Sequence, residues 1–122
     1  MEINNGMKKM IEGNALGFAT VDGQGNPHNI AVGYVKVISK NELVITNNYL
    51  NETIENLKNC KKVSLVVWDR EWENKCIGYE LKGTAKYFTE GKWVDLIKKI
   101  PTNKGEPCKG AILVTIDKLK VL

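Results

Sequence analysis

Histidine is almost missing from this chain: His28 is the only one in 122 residues. A single imidazole excludes a His-rich metal centre. A mixed zinc site would need His28 and all three cysteines together, Cys60, Cys76 and Cys108, and their spacing matches no zinc pattern. Three is also an odd count with no C-x-x-C pair, so a disulfide framework is not expected and the reducing cytoplasm is the expected compartment. No run is apolar over the ~18 residues that a membrane span requires. The first 13 residues hold lysines without an apolar stretch behind them, which argues against a signal peptide. Repeats and low-complexity segments are missing too. So is any strong charge stripe. The formal charge is +4, but the lysines scatter from Lys8 to Lys120, which is no nucleic-acid footprint. It leaves room for an anionic ligand such as a phosphorylated nucleotide. Finally, no acid or nucleophile pairs visibly with His28, which stands at a turn, so the protein supplies no catalytic constellation of its own.

What is present suits one domain over residues 1–122. A chain of this size hides roughly two-thirds of its unfolded surface, enough for one core. Ile3, Met7, Met10 and Ile11 recur at helical spacing and predict a helix over residues 3–11, closed by Gly13-Asn14. Residues 15–21 read as a strand. Asp22-Gly23-Gln24-Gly25-Asn26-Pro27 is a turn, and residues 28–38 read as a second strand rich in β-branched and aromatic side chains. A third strand over residues 43–46 would complete an antiparallel meander. Asn51 is a candidate N-cap for a helix over residues 52–59. Residues 63–68 are nearly all apolar and predict a strand buried on both faces, with Trp68 in the core. Residues 69–75 read as a polar loop around Trp72. Residues 76–88 form a long strand whose Gly78 and Gly83 mark a bulge, a barrel corner or a close approach. Residues 89–100 predict a helix with Trp93, Leu96, Ile97 and Ile100 inward, stopped by Pro101. Residues 102–109 are a loop, and residues 111–122 give the last strand. About six strands with short helices and regular turns predict a mainly β, closed or nearly closed antiparallel barrel.

The order of these pieces resembles a known family. LGFATVDGQGNPH (16–28), LVITN (43–47), the helix end NLKN (56–59), KVSLVV (62–67) and GYELKGTA (78–85) together resemble the pyridoxamine 5'-phosphate oxidase-like flavoproteins. The resemblance implies a six-stranded split β-barrel that binds flavin mononucleotide (FMN) at a homodimer interface. It implies a flavin-dependent oxidoreductase or electron carrier with an unknown small-molecule or redox partner. On the same fold, a haem or deazaflavin module, or a cofactor-free dimeric scaffold, is the alternative; haem would use His28 as axial ligand.

The resemblance also places a site. The phosphate would sit at Thr46, Asn47, Asn48 and Thr53, beside the N-terminus of the helix that follows. Plain turn and capping chemistry explains the same residues without a ligand. Glu52 stands where many relatives have a basic residue, so Lys58 or Lys82 would have to supply the cation. The ring wall would be Ala31, Val32 and Gly33 with Tyr34, where small residues admit a flat ring to the backbone. Trp72, an aromatic among charges, and the loop that carries Cys108 are expected to reach the cofactor or a partner copy.

Overall fold

The computed structural model describes residues 2–122, apart from the side chain of Trp72. Its first helix, α1 (Asn5–Gly13), starts later than the apolar spacing suggests because Asn4 caps it, its side chain accepting from the Met7 N–H at 2.9 Å. Ile3, Met7 and Ile11 are buried as the spacing requires. Seven strands follow: β1 (Leu16–Val21), β2 (Pro27–Val32), β3 (Val35–Val37), β4 (Glu42–Asn47), β5 (Lys62–Trp68), β6 (Gly78–Phe88) and β7 (Gly110–Val121). They form one antiparallel sheet in the order β2-β1-β5-β6-β7-β4-β3.

The fold class is the expected one, mainly β with short helices, but the stretch 28–38 is two strands rather than one. β2 pairs with β1, β3 pairs with β4, and the two lie at opposite edges of the sheet. The expected three-stranded meander is therefore replaced by two separate hairpins. Only Gly33 and Tyr34 separate the edge strands, so Val32 and Val35 lie at most about 11 Å apart at ~3.8 Å per Cα step. A sheet whose first and last strands are tied this closely must curl, and the half-barrel follows from that tether.

A second device tightens the curl. The β6–β7 register slips between Lys82 and Gly83, and a Cβ on Gly83 would lie 1.8 Å from the Thr115 carbonyl oxygen. Only glycine allows the two backbones to approach so closely. The main core fills the barrel with Leu16, Phe18, Leu43, Ile45, Leu65, Leu81 and Ile112. A smaller cluster forms behind β4 and β7, where Val44 and Ala111 meet Val94 and Ile97 of helix α4 (Lys92–Lys98). β4 is thus buried on both faces, which explains its unbroken apolar run.

Several expectations are corrected. β5 alternates buried and half-buried positions rather than being buried on both faces. Trp68, at its end, is 48% exposed and not a core residue, because it shares the outward face of the strand with Ser64 and Val66, opposite the buried Val63, Leu65 and Val67. The 69–75 segment contains a short helix, α3 (Trp72–Lys75). Residues 89–100 are helical only over α4. A 3-10 turn, Pro101–Asn103, follows, and Trp93, Leu96 and Ile100 are half-buried beside the inward Val94 and Ile97. Helix α2 (Glu52–Asn59) has the expected bounds, but Asn51 makes no side-chain cap and has helical dihedrals. No described helix is long and apolar enough to cross a membrane.

Candidate functional site

The short link at Gly33-Tyr34 and the end of β4 enclose a cavity of about 270 Å³. Ala31, Val32 and Gly33 wall one side; Thr46 and Asn48 wall the other; Tyr34, Tyr49 and Leu50 complete it. The sequence-derived ring wall and half of the sequence-derived phosphate segment therefore meet in one place. The pairing that brings them together is visible in the backbone: the Thr46 N–H donates to the Tyr34 carbonyl at 2.9 Å.

The turn after β4 is held by its asparagines. Asn47 accepts from the Leu50 N–H and donates to the Tyr87 hydroxyl, both at 2.8 Å, so its polar atoms are spent on the fold. The Asn48 carbonyl accepts from the Cys108 N–H at 2.9 Å, which fixes the amide's orientation and leaves Nδ2 as the free end. That Nδ2 is buried without a partner, and so is the hydroxyl of Thr53 in the first turn of α2. Each unpaired buried polar group costs about 1–3 kcal/mol. Thr46 is also buried, and its hydroxyl oxygen accepts from Asn103 Nδ2 at 2.9 Å. The cleft thus combines a small-residue wall with one lining residue, Asn48, whose Nδ2 nothing in the protein satisfies, four residues before the start of α2, which carries a second unpaired hydroxyl, Thr53, in its first turn.

The charges are arranged differently from expectation. The Glu52 carboxylate contacts His28 Nδ1, which draws the acid toward β2 and occupies one ring nitrogen of the sole histidine. Lys58 is exposed and pairs with Glu55 at 2.8 Å. Lys82 is exposed and lies 3.8 Å from Glu80. It sits six residues along β6 from Phe88, whose β7 partner Ala111 pairs with Thr46, a separation of roughly 20 Å at ~3.3 Å per residue. A different lysine, Lys109, lies near one lining residue of the cleft, with Nζ 5.9 Å from the centroid of the Tyr49 ring. Its backbone N–H donates to the Asn47 carbonyl, so the β4–β7 pairing delivers it there. Nothing in the local sequence singles out Lys109; only that pairing does. Tyr49, 69% exposed, carries the same signal as Trp72, an aromatic in a polar segment. The side chain of Trp72 lies outside the described residues. Cys108 is buried against the α4 cluster and is not presented outward, although its backbone adopts a left-handed φ of 48°.

The Tyr34 phenol donates to the Glu106 carboxylate at 3.2 Å, and that hydrogen bond holds its pKa above the usual tyrosine value. Tyr34 is therefore a neutral hydroxyl at the rim. Among the described residues, no three of His, Cys, Asp and Glu gather into a metal-binding group.

Comparison with known proteins gives a consistent picture. A family model described as pyridoxamine 5'-phosphate oxidase matches residues 5–122. An uncharacterised protein of Methanocaldococcus jannaschii is 26% identical over 123 aligned positions, covering 98% of this chain and 80% of that protein. Among solved structures, HupZ of Group A Streptococcus superposes with a TM-score of 0.88 at 24% identity, over 98% of this chain and 94% of its own. An FMN-binding protein from Syntrophomonas wolfei superposes with a TM-score of 0.81 at 21% identity, over 94% and 82%. At these identities the two structures establish the shared fold.

Proposed function

The chain belongs to the pyridoxamine 5'-phosphate oxidase family, and from that premise we propose that it binds FMN in the cleft between Gly33-Tyr34, the end of β4 and the start of α2. The observation that carries this reading is Asn48 Nδ2, a buried donor without a protein partner on a residue that shares a lining with Ala31, Val32 and Gly33, with a second unpaired donor, Thr53 Oγ1, in the first turn of α2. A phosphate provides the acceptors those donors lack. A flat ring against Ala31, Val32 and Gly33 meets backbone groups at its polar edge. The FMN-binding description of the Syntrophomonas wolfei protein supports the same ligand.

In this reading Asn48, Thr46 and Thr53 hold the phosphate, with Lys109 in place of Lys58 or Lys82 as the offsetting cation. Glu52, held by His28, is kept from opposing it. Bound flavin supplies hydride and electron transfer, and the protein binds and orients it. The protein is then a cytoplasmic flavin-dependent oxidoreductase or electron carrier.

The working unit is a homodimer. A second apolar hollow, lined by Leu16, Ile30 and Trp68, shares Ala31 with the cleft, and a third, with Cys76, Ile77 and Leu122, shares Trp68 with the second. Trp68, Ile77, Val121 and Leu122 are large apolar side chains left exposed by the single chain. A second copy that covers this strip would also close the cofactor cleft.

The test is the absorption spectrum of purified protein titrated with FMN, then with haem and with a deazaflavin. Saturable FMN binding at micromolar concentration is expected. A protein that stays colourless in excess FMN, or takes haem or the deazaflavin in its place, removes the assignment.

A further inference from the structure

Asn103 does not line the cofactor cleft, yet its side chain holds a residue that does. It ends the 3-10 turn and is 3% exposed. Its Nδ2 donates to the Thr46 hydroxyl at 2.9 Å and to the Ile97 carbonyl at 2.8 Å. A backbone carbonyl can only accept, so the group that faces Thr46 is the amide N–H and not the amide oxygen. This orientation is kept although it leaves Asn103 Oδ1 buried without a partner.

The consequence falls on Thr46. A hydroxyl has a single hydrogen. Thr46 Oγ1 receives the Asn103 N–H, so its own hydrogen points away from Asn103, and among the described residues no protein acceptor takes it. Asn48 is treated in the same way. The Cys108 N–H occupies its carbonyl at 2.9 Å, which leaves only the unpartnered Nδ2. Two polar side chains on the cleft lining thus have an acceptor filled by the chain between residues 103 and 108, which meets them across 57 and 60 positions of sequence. What each has left to give is a hydrogen.

We propose that Asn103 is a positioning residue that sets ligand selectivity: by filling the acceptor side of Thr46 it turns that hydroxyl into a donor toward the cleft. With Asn48, this end of the cleft then favours an ionised acceptor, a phosphate monoester, over the alcohol end of an unphosphorylated flavin. An alcohol brings a hydrogen of its own, and a pair of donors gives that hydrogen no partner. The inference rests on the phosphate reading of the cleft.

The test compares FMN with riboflavin in titrations of wild type, Asn103→Asp, Thr46→Val and the double variant. Asn103→Asp keeps the side-chain shape but turns an oxygen toward Thr46, which draws the hydroxyl hydrogen out of the cleft. It should lower FMN affinity about tenfold and riboflavin affinity less than about twofold. In the Thr46→Val background the same change should lower FMN affinity less than about twofold, because Asn103 acts through Thr46. Equal losses for the two flavins would make Asn103 an ordinary structural tie. A loss that persists without the Thr46 hydroxyl would make it a charge effect. Either result overturns the inference. The wild type gives a check that does not depend on the variant folding: both Asn103 side-chain amide protons should be protected from exchange in NMR spectra, and free exchange of either would overturn the orientation. Inorganic phosphate separates this inference from the cofactor. A protein that takes no FMN but binds phosphate at Thr46 and Asn48, more weakly in Asn103→Asp, loses the flavin and keeps the role of Asn103. A protein that binds neither loses both.

Discussion

Thr53 shows most clearly how a single atom separates stability from binding. Its hydroxyl is buried and unpaired, so in the free protein it is a liability. Thr53→Val keeps the shape and removes that group. The free protein should be unchanged or stabilised by up to about 1 kcal/mol, while FMN affinity should fall by about 1 kcal/mol or more, roughly fivefold. Urea melts of free protein and flavin titrations of the same samples measure the two signs. A parallel loss of both would make Thr53 an ordinary packing residue. Asp22 gives a pH-dependent counterpart far from the cleft. Its carboxylate accepts from the Asn26 N–H at 2.9 Å, from the Asn26 side chain at 3.0 Å and from the Gln24 N–H at 2.8 Å, and these bonds, the Asn26 backbone foremost, lower its pKa. A depressed carboxyl stabilises the fold above its unfolded value and loses that contribution as pH falls through the lower folded value. Asp22→Asn should therefore flatten the acid limb of the stability–pH curve below about pH 4 and leave the limb above pH 6 parallel to wild type. Chemical melts across that range check it.

At the scale of elements, the chain is organised by two places where strands cannot behave ideally. One is Gly33-Tyr34, where the polypeptide leaves one edge of the sheet and joins the other. The other is Gly83, packed against the Thr115–Ile116 backbone at the β6–β7 register slip. Since a Cβ there would strike backbone rather than a movable side chain, Gly83→Ala should cost about 3 kcal/mol or more by forcing β6 and β7 apart. A Cβ added at Gly33 would meet nothing within 4 Å, so Gly33→Ala should cost far less, about 1 kcal/mol or below. Thermal melts of the two variants side by side provide the comparison. Equal destabilisation would mean that the curl is not set at Gly83. The places where sequence pattern and structure part fall at similar irregularities. A run of β-branched residues from 28 to 38 looks continuous because periodicity does not register which neighbour each half pairs with. The polar segment around Trp72 looks like a loop because a single helical turn is too short to display a period.

For the whole molecule, the exposed strip from Ala31 through Trp68 to Leu122 is the feature that a single chain leaves open. Trp68→Ala removes a side chain that is 48% exposed in the protomer and should cost the monomer about 1 kcal/mol or less, since little packing is lost. The proposed dimer, in contrast, should weaken by about 2 kcal/mol or more, the range of an aromatic anchor in a covered interface. Sedimentation of wild type and variant at micromolar concentration, with and without FMN, reads the difference. Two species with the same association constant would remove Trp68 from the interface.

Much of this protein is legible from its residues alone. Strand-rich runs with turn residues between them point to the mainly β class. The family resemblance singles out Ala31, Val32, Gly33, Thr46 and Asn48, and those residues line one cleft. These features are local: hydrophobic period, turn chemistry and short motifs are written in consecutive residues. What only the tertiary structure decided was long-range. The tether at Gly33-Tyr34 curls the sheet; Lys109 arrives at Tyr49 because β7 pairs with β4; Asn103 and Thr46 meet across 57 positions of sequence. Each depends on which strands become neighbours, and hydrogen bonds between distant backbones leave no periodic trace in the sequence that makes them.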